Sequence, residues 1–333
     1  MLNAHNVLQR AAQSYGFGTA NSTATAKLQN VSSFKLNPDL VTRAIQQLRG
    51  SLAPTHNTAL DFYKSNATFE VSDETVEDIN YWLDSLFTPD TSITGGGPYT
   101  RDYAAPLTAA AEPTFMTLQW GQTGSVQQMQ DASIATLTIS GNSQSSGVAV
   151  GGSIIGGKVV PGTLAVLADR TSPVQTRLNG CTATVAIDAW DGTMGATVIA
   201  NSAFAYELTI NANREYMGYL GDCEPASWAD KPWSGQLKLS LELNTTTDDY
   251  LAAILAATNT ILKKQIEIVY SSGATTTLRK MSLQFAGHAM QAPALFEDRN
   301  GVTTFDLVFD GVYNPTFANW LKIQNISAIN ELV

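Results

Sequence analysis

Asp188 and Asp191 flank Trp190 near the middle of the chain. Two carboxylates beside an aromatic ring are the groups a glycoside-cleaving cleft uses, one as acid and one as base or nucleophile. Here they sit at a strand end, and Asp191-Gly192 is a strong turn dipeptide, so both read as turn residues. His5, His56 and His288 lie in unrelated contexts. No CxxC pair or HExxH is present, so no zinc site is signalled. Gly151-Gly152 and Gly156-Gly157 lack the Lys-Ser/Thr and the helix of a phosphate loop. Asp73, Asp248 and Asp249 precede helical periodicity and read as caps or first-turn charges. The sequence therefore predicts no enzyme: no catalytic, cofactor-binding or metal residues, and no cofactor.

The elements that surround these residues carry more signal. Leu237, Leu239, Leu241 and Leu243 alternate with polar residues, as in a strand with one buried face. Asn244 and three threonines break the alternation. From Asp248 the period lengthens, and Leu251, Ile254 and Leu255 share one side of a short helix. The pattern also occurs earlier. Ala67, Phe69 and Val71 alternate, Ser72 and Asp73 offer caps, and Ile79, Trp82, Leu83 and Leu86 share a helical face. A shift of about 172 residues lays Phe69 on Leu241 and Leu83 on Leu255, which predicts an internal duplication.

Length and composition fit that reading. The 333 residues suffice for two domains. Few residues are charged, while Thr, Ser, Ala, Asn and Gly abound, as in a turn-rich β protein. The net charge is −10 with no basic run, which disfavours gripping nucleic acid but suits a wall that DNA slides past. No stretch is long and apolar enough to cross a bilayer as a helix, and the first residues carry no signal-peptide pattern. Cys181 and Cys223 are expected to be free and half-buried.

The rest of the chain divides as follows. Residues 1–26 read as an arm, in which Leu2, Val7 and Leu8 make a weak helical face. Leu28–Leu36 reads as a strand closed by a turn at Asn37-Pro38-Asp39. Residues 40–61 and 211–231 are long polar excursions at matched places. Residues 88–113 read as a surface loop, and Ile154–Pro173 as a crossover between halves. Phe204–Ile210 answers the first strand, Gln265–Tyr270 answers Met116–Trp120, and Met281, Leu283 and Phe285 answer Ala135, Leu137 and Ile139. Thr303–Phe309 answers the strand of Val148 and Val150. Thr316–Ile323 reads as a short closing helix. The expected domains are 27–160 and 181–333, joined by a linker at 161–180. Each is mainly β with one helix per repeat, a sandwich or partly open barrel.

Against this background the second half resembles a known family. Asp188–Trp190, the Gly192-Thr193 turn, Phe204–Arg214, Ser227-Trp228 and Leu237–Leu243 follow one another as in the tail tube proteins of long, non-contractile-tailed bacteriophages. The first half adds YGFGTANSTATAKLQNVSSFKLNPD, which is similar to the Phe-Gly-Thr-Ala start and Ser-Phe-x-Leu strand of those proteins. The chain departs from the pattern in one place, with Asp-Ala where the family has Asp-Asp before the tryptophan. Residues 141–180 match nothing in it.

The resemblance implies a structural virion protein of two tandem tail-tube-like domains. Subunits would form trimeric, pseudo-hexameric rings that stack into the hollow tail, meet the tape measure and terminator or tip proteins, and let DNA pass without specific binding or any membrane partner. Assembly would take place in the host cytoplasm. The excursions at 40–61 and 211–231 are expected to bridge stacked rings. Open sheet edges satisfied around a closed ring fit the same picture. Two other readings predict different behaviour. A tail terminator or baseplate tube protein of related fold would be present once per virion. A carbohydrate-binding β-sandwich would be a monomer exposing Trp228 and Trp233.

Overall fold

The computed structural model describes the chain apart from residues 1–6, 14–17, 19, 22, 29, 46–56, 91–92, 94–96, 123, 144–146, 168–175, 221–222, 256–261, 274–277, 290–296, 300 and 330–333. In chain order the elements are β1 (Val7–Ala12), β2 (Ala26–Lys27), β3 (Val31–Ile45), β4 (Asn57–Val71) and helix α1 (Ile79–Leu86). Then come β5 (Tyr99–Ala104), β6 (Met116–Gln122), β7 (Ser125–Asn142), β8 (Ala149–Gly156) and β9 (Val159–Pro161). The second half holds β10 (Ala183–Ala189), β11 (Ala203–Asn211), β12 (Arg214–Met217), β13 (Ser227–Asp230), β14 (Ser234–Glu242) and helix α2 (Asp248–Leu255). It ends with β15 (Lys263–Ser272), β16 (Arg279–Ala289), β17 (Glu297–Arg299), β18 (Val302–Gly311) and β19 (Leu321–Ser327). The chain is mainly β, with a large antiparallel sheet and two α-helices among the described residues.

One layer of that sheet runs through both halves. Its order is β3–β4–β8–β7–β11–β14–β18, every neighbour antiparallel. The joint between halves is the β7–β11 pair, where Ala205 to Asn211 face Asn142 to Thr136. A second layer is built from shorter runs. In the first half β1 pairs with β6, β6 with the start of β7, and β9 with β7 again. In the second half β10 pairs with β15, β15 with β16, β16 with β19 and β19 with β5. β7 is 18 residues long and serves both layers, its first residues in one and its last in the other. The pairing β3–β4–β8–β7 thus recurs as β11–β14–β18–β16.

Alternation explains where the core lies. Phe69, Leu137, Ile139, Val150, Leu208, Leu239 and Leu307 point to one side of the through-running layer and are at most 2% exposed. They share one apolar cluster with Met116 and Leu118 of β6, Ile266 and Ile268 of β15, and Leu283 of β16. Strand-period residues buried on one face and polar on the other are what a two-layer sandwich needs.

Several sequence expectations change here. Val7 and Leu8 lie in a strand, not on a helical face, and β6 fixes that strand along its whole length. Asn37, Pro38 and Asp39 continue β3 opposite Asn66, Ser65 and Lys64 instead of turning. Among the described residues β3 is paired only on its β4 side, and proline within a sheet is confined to such end strands. The supposed crossover from Ile154 begins inside β8 and continues through β9. The loop at 88–113 contains β5. Residues 316–320 make a turn closed by Asn314, whose Oδ1 accepts from the N–H groups of Thr316 and Phe317, and β19 replaces the closing helix. Met281–Phe285 pair with β15 as Ser125–Met129 pair with β6, so they answer the start of β7 rather than Ala135–Ile139. Ser72 and Asp73 do not cap α1, which begins later, after Asp78. Before α2, Asn244 does accept from the N–H groups of Thr246 and Thr247, and Asp248 and Asp249 occupy the first turn.

Candidate assembly surface

The residues singled out for chemistry are held in structural roles. Asp188 is 2% exposed, and its two oxygens accept the N–H groups of Gly195 and Thr197, each at 2.7 Å. It ties down the loop after β10, while Asp191 is exposed on the turn. His288 is half-buried on β16; His5 and His56 lie outside the described residues. Among the described residues no cluster of His, Cys, Asp and Glu could hold a metal. Cys181 and Cys223 are free, as expected, but exposed rather than half-buried. Cys181 lies in a 3-10 turn just before β10 and Cys223 in a bend between β12 and β13, both outside the core-facing strand positions. Trp228 meets Phe115 edge-on with ring centres 5.6 Å apart, and Trp233 packs on Phe87 at 5.3 Å. Both rings are half-buried in internal contacts.

What the fold assembles is a surface. The layer that spans both halves buries one face and turns the other outward. The outward face carries Ser33, Lys35 and Asp39 on β3, and Lys64, Asn66, Thr68 and Glu70 on β4. It continues through Ala149, Gly151 and Ser153 on β8 and Thr136, Thr138 and Ser140 on β7. Glu207 and Thr209 on β11, Gln236, Lys238 and Ser240 on β14, and Asp306 and Asp310 on β18 complete it. Large apolar side chains are rare on it, and acids outnumber lysines. Lys238 Nζ lies 2.7 Å from Asp306, and that hydrogen bond pushes its ammonium above the ordinary lysine range. Gly152 on β8 has no room for a larger residue, since a Cβ would meet the carbonyl of Thr136 on β7.

The seam between halves is sealed from behind by polar groups. Arg214, at the start of β12, is buried; its Nε lies 2.7 Å from Asp230, and that ion pair is almost wholly shielded from solvent. Its remaining N–H groups donate to the carbonyls of Ser85, Leu86 and Ile134 and to Ser133 Oγ, all in the first half. A buried ion pair is tolerable only when such extra bonds satisfy it. Its guanidinium also lies over Trp228, 5.2 Å from the ring centre. The β12–β13 ribbon, which forms the polar excursion at 211–231, is thus seated at its base on the first half. Its tip does project: Met217, Tyr219 and Leu220 are 45%, 57% and 107% exposed.

All of α1 is buried, whereas Leu251 is the buried residue of α2. The second half covers α1. Asn325 on β19 donates to Val76 O at 2.6 Å and Asn80 Oδ1 at 2.7 Å, and Arg279 lies 3.4 Å from Glu77. Burial pushes the carboxyls of Glu77 and Asp84 up, and that of Glu74 to about 8. Glu74 stays in place by accepting from Thr75 N and from Trp82 Nε1, whose ring stacks on Phe69. The Asn-Arg that ends a strand in the sequence pattern was a signal for Arg214. Nothing local marked the β7–β11 joint.

No helix among the described residues is long and apolar enough to cross a membrane. No family model matches the chain, and no curated protein matches it.

Proposed function

We propose that this chain is a subunit of a bacteriophage tail tube, built from two tandem copies of one tail-tube-like module with a helix in each. The observation that carries the reading is the layer β3–β4–β8–β7–β11–β14–β18, continuous through both halves, polar and net acidic on its open face. A layer of this kind suits the wall of a wide barrel, because bore grows with strand number. Three copies would supply the repeated modules of one ring, with the polar face toward the bore. Acidic and small neutral side chains there would repel phosphate rather than hold it, so DNA passes. Rings would stack through the excursions at 211–231, with the apolar tip of the β12–β13 ribbon, and at 40–61, of which residues 46–56 lie outside the described ones. The tape measure protein would occupy the bore during assembly, and terminator and tip proteins would close its ends.

Electron microscopy of the purified chain, alone and with tail partners, tests the reading. Rings or tubes of regular bore support it. A protein that stays monomeric under both conditions and at high concentration refutes it.

A further inference from the structure

The layer that runs through both halves, extended by β17 on β18, has an open edge at each end among the described residues: β3 pairs only with β4, and β17 only with β18. The counterparts of these edges meet inside the chain. Gly151 on β8 lies between Thr138 on β7 and Glu70 on β4. Thr304 on β18 lies between Glu297 on β17 and Glu242 on β14. Glu297 therefore holds the place of Thr138. On the other side, Thr209 on β11 faces Gln236 on β14, as Asp39 on β3 faces Lys64 on β4. The displacement that lays Phe69 on Leu241 lays Lys64 on Gln236, so Asp39 holds the place of Thr209. Thr138 and Thr209 are direct partners.

We propose that copies of this chain join head to tail by adding β3 of one to β17 of the next, antiparallel, with Asp39 opposite Glu297. The joint rests on the tube reading and specifies how its subunits meet. An unpaired edge is a template for another strand, and the same chain already shows the geometry that satisfies it.

The helices give a second, independent sign. Second-half residues Asn325 and Arg279 cover α1, while Asp248, Asp249, Ala252, Ala253 and Leu255 of α2 are exposed. In the chain the β12–β13 ribbon, which extends from β11, lies over the carbonyls at the end of α1. Leu40–Ile45 of β3, paired with Asn57–Tyr63 of β4, stands at the place of that ribbon, although it continues the large sheet where the ribbon is a separate one. Head-to-tail joining lays it over the bare α2 of the neighbour. The register sets two carboxylates together, and Lys64, with Nζ 3.4 Å from Asp39, stands beside them to offset their repulsion.

The test uses the full chain in two forms. In a Cys181→Ser, Cys223→Ser background, Asp39→Cys and Glu297→Cys should form disulfide-linked dimers and closed oligomers on oxidation. Lys35→Cys with Glu297→Cys, displaced along the strand, should link at least tenfold less. In the unmutated chain, a zero-length carbodiimide cross-linker should join Lys64 to Glu297. Mixed isotope-labelled and unlabelled protein should mark that link as intermolecular by mass spectrometry. Rings in the microscope with neither link overturn the joint and leave the tube reading standing. Monomers throughout, with neither link, overturn both.

Discussion

The side-chain oxygens of Thr138 and Thr209 lie 3.4 Å apart across the line where the two halves of the chain meet. They are partners in the β7–β11 ladder, and that ladder turns two sandwich-like halves into one continuous wall. The stability of the chain, and with it the proposed assembly and bore, depends on this line.

Arg214 closes the line from behind. Arg214→Ala leaves Asp230 buried without its cation and takes a donor from each of the carbonyls of Ser85, Leu86 and Ile134. Breaking a buried pair from one side costs about 3–5 kcal/mol. Urea denaturation should show a loss of that size, and the double change Arg214→Met, Asp230→Leu should restore part of it. A loss under about 1 kcal/mol, as for an exposed pair, would mean the ribbon does not hold the halves together.

Glu74 sets a pH dependence. Its folded value of about 8 stands above the ordinary 4.5 because burial disfavours the charged form. Its contribution is fully present below about pH 4.5 and falls as the pH rises toward 8. Glu77 and Asp84 are shifted the same way. Across that window Glu74 contributes on the order of a few kcal/mol. Stability curves from pH 5 to 8 should be visibly flatter for Glu74→Gln. Parallel curves for the two proteins would remove Glu74 as the cause.

Gly152 tests how tightly β8 and β7 approach. Gly152→Val must move the Thr136 carbonyl, and overpacking of this kind costs about 1–3 kcal/mol. Gly301, which lies on an open turn at positive φ with nothing nearby, should tolerate alanine with the smaller penalty of backbone strain alone. Equal melting temperatures for Gly152→Val and the parent chain would contradict the close approach.

Much of this was legible in the chain. The alternating leucines of β14 and alanine, phenylalanine and valine of β4 marked their strands, because one buried face imposes a period of two. Asp191-Gly192 lies on a turn, as its residue types suggest, while Asp188 is a residue of β10 whose carboxylate ties down the loop that follows. What was illegible was non-local. Whether Asn37-Pro38-Asp39 turns or runs straight depends on which edge of β3 is paired, and sequence does not carry that. Val7–Ala12 and Leu321–Ser327 are short segments whose strand form is imposed by β6 and by β16 and β5. The contrast between buried α1 and exposed α2 comes from their surroundings, since both helices show the same apolar spacing.

The open face carries a charge prediction. Glu70→Lys with Glu207→Lys reverses two exposed charges on it. Assembled protein should then retain DNA at low salt and release it as salt rises, whereas the parent should not retain it. Retention by the parent would contradict a repelling bore.

The ribbon tip should govern stacking. Leu220→Asp changes a fully exposed apolar side chain and leaves the seated base intact. Rings should persist while tube length falls sharply in micrographs. Tubes of unchanged length would assign stacking elsewhere.

A cryo-electron-microscopy reconstruction of the assembled protein bears most directly on the central reading. The expected map is a closed annulus of repeated modules, with Thr68, Thr138 and Thr209 facing the hole and β3 of each copy running beside β17 of its neighbour. An assembly that turns this polar face outward, or that leaves both edges uncovered, would contradict it.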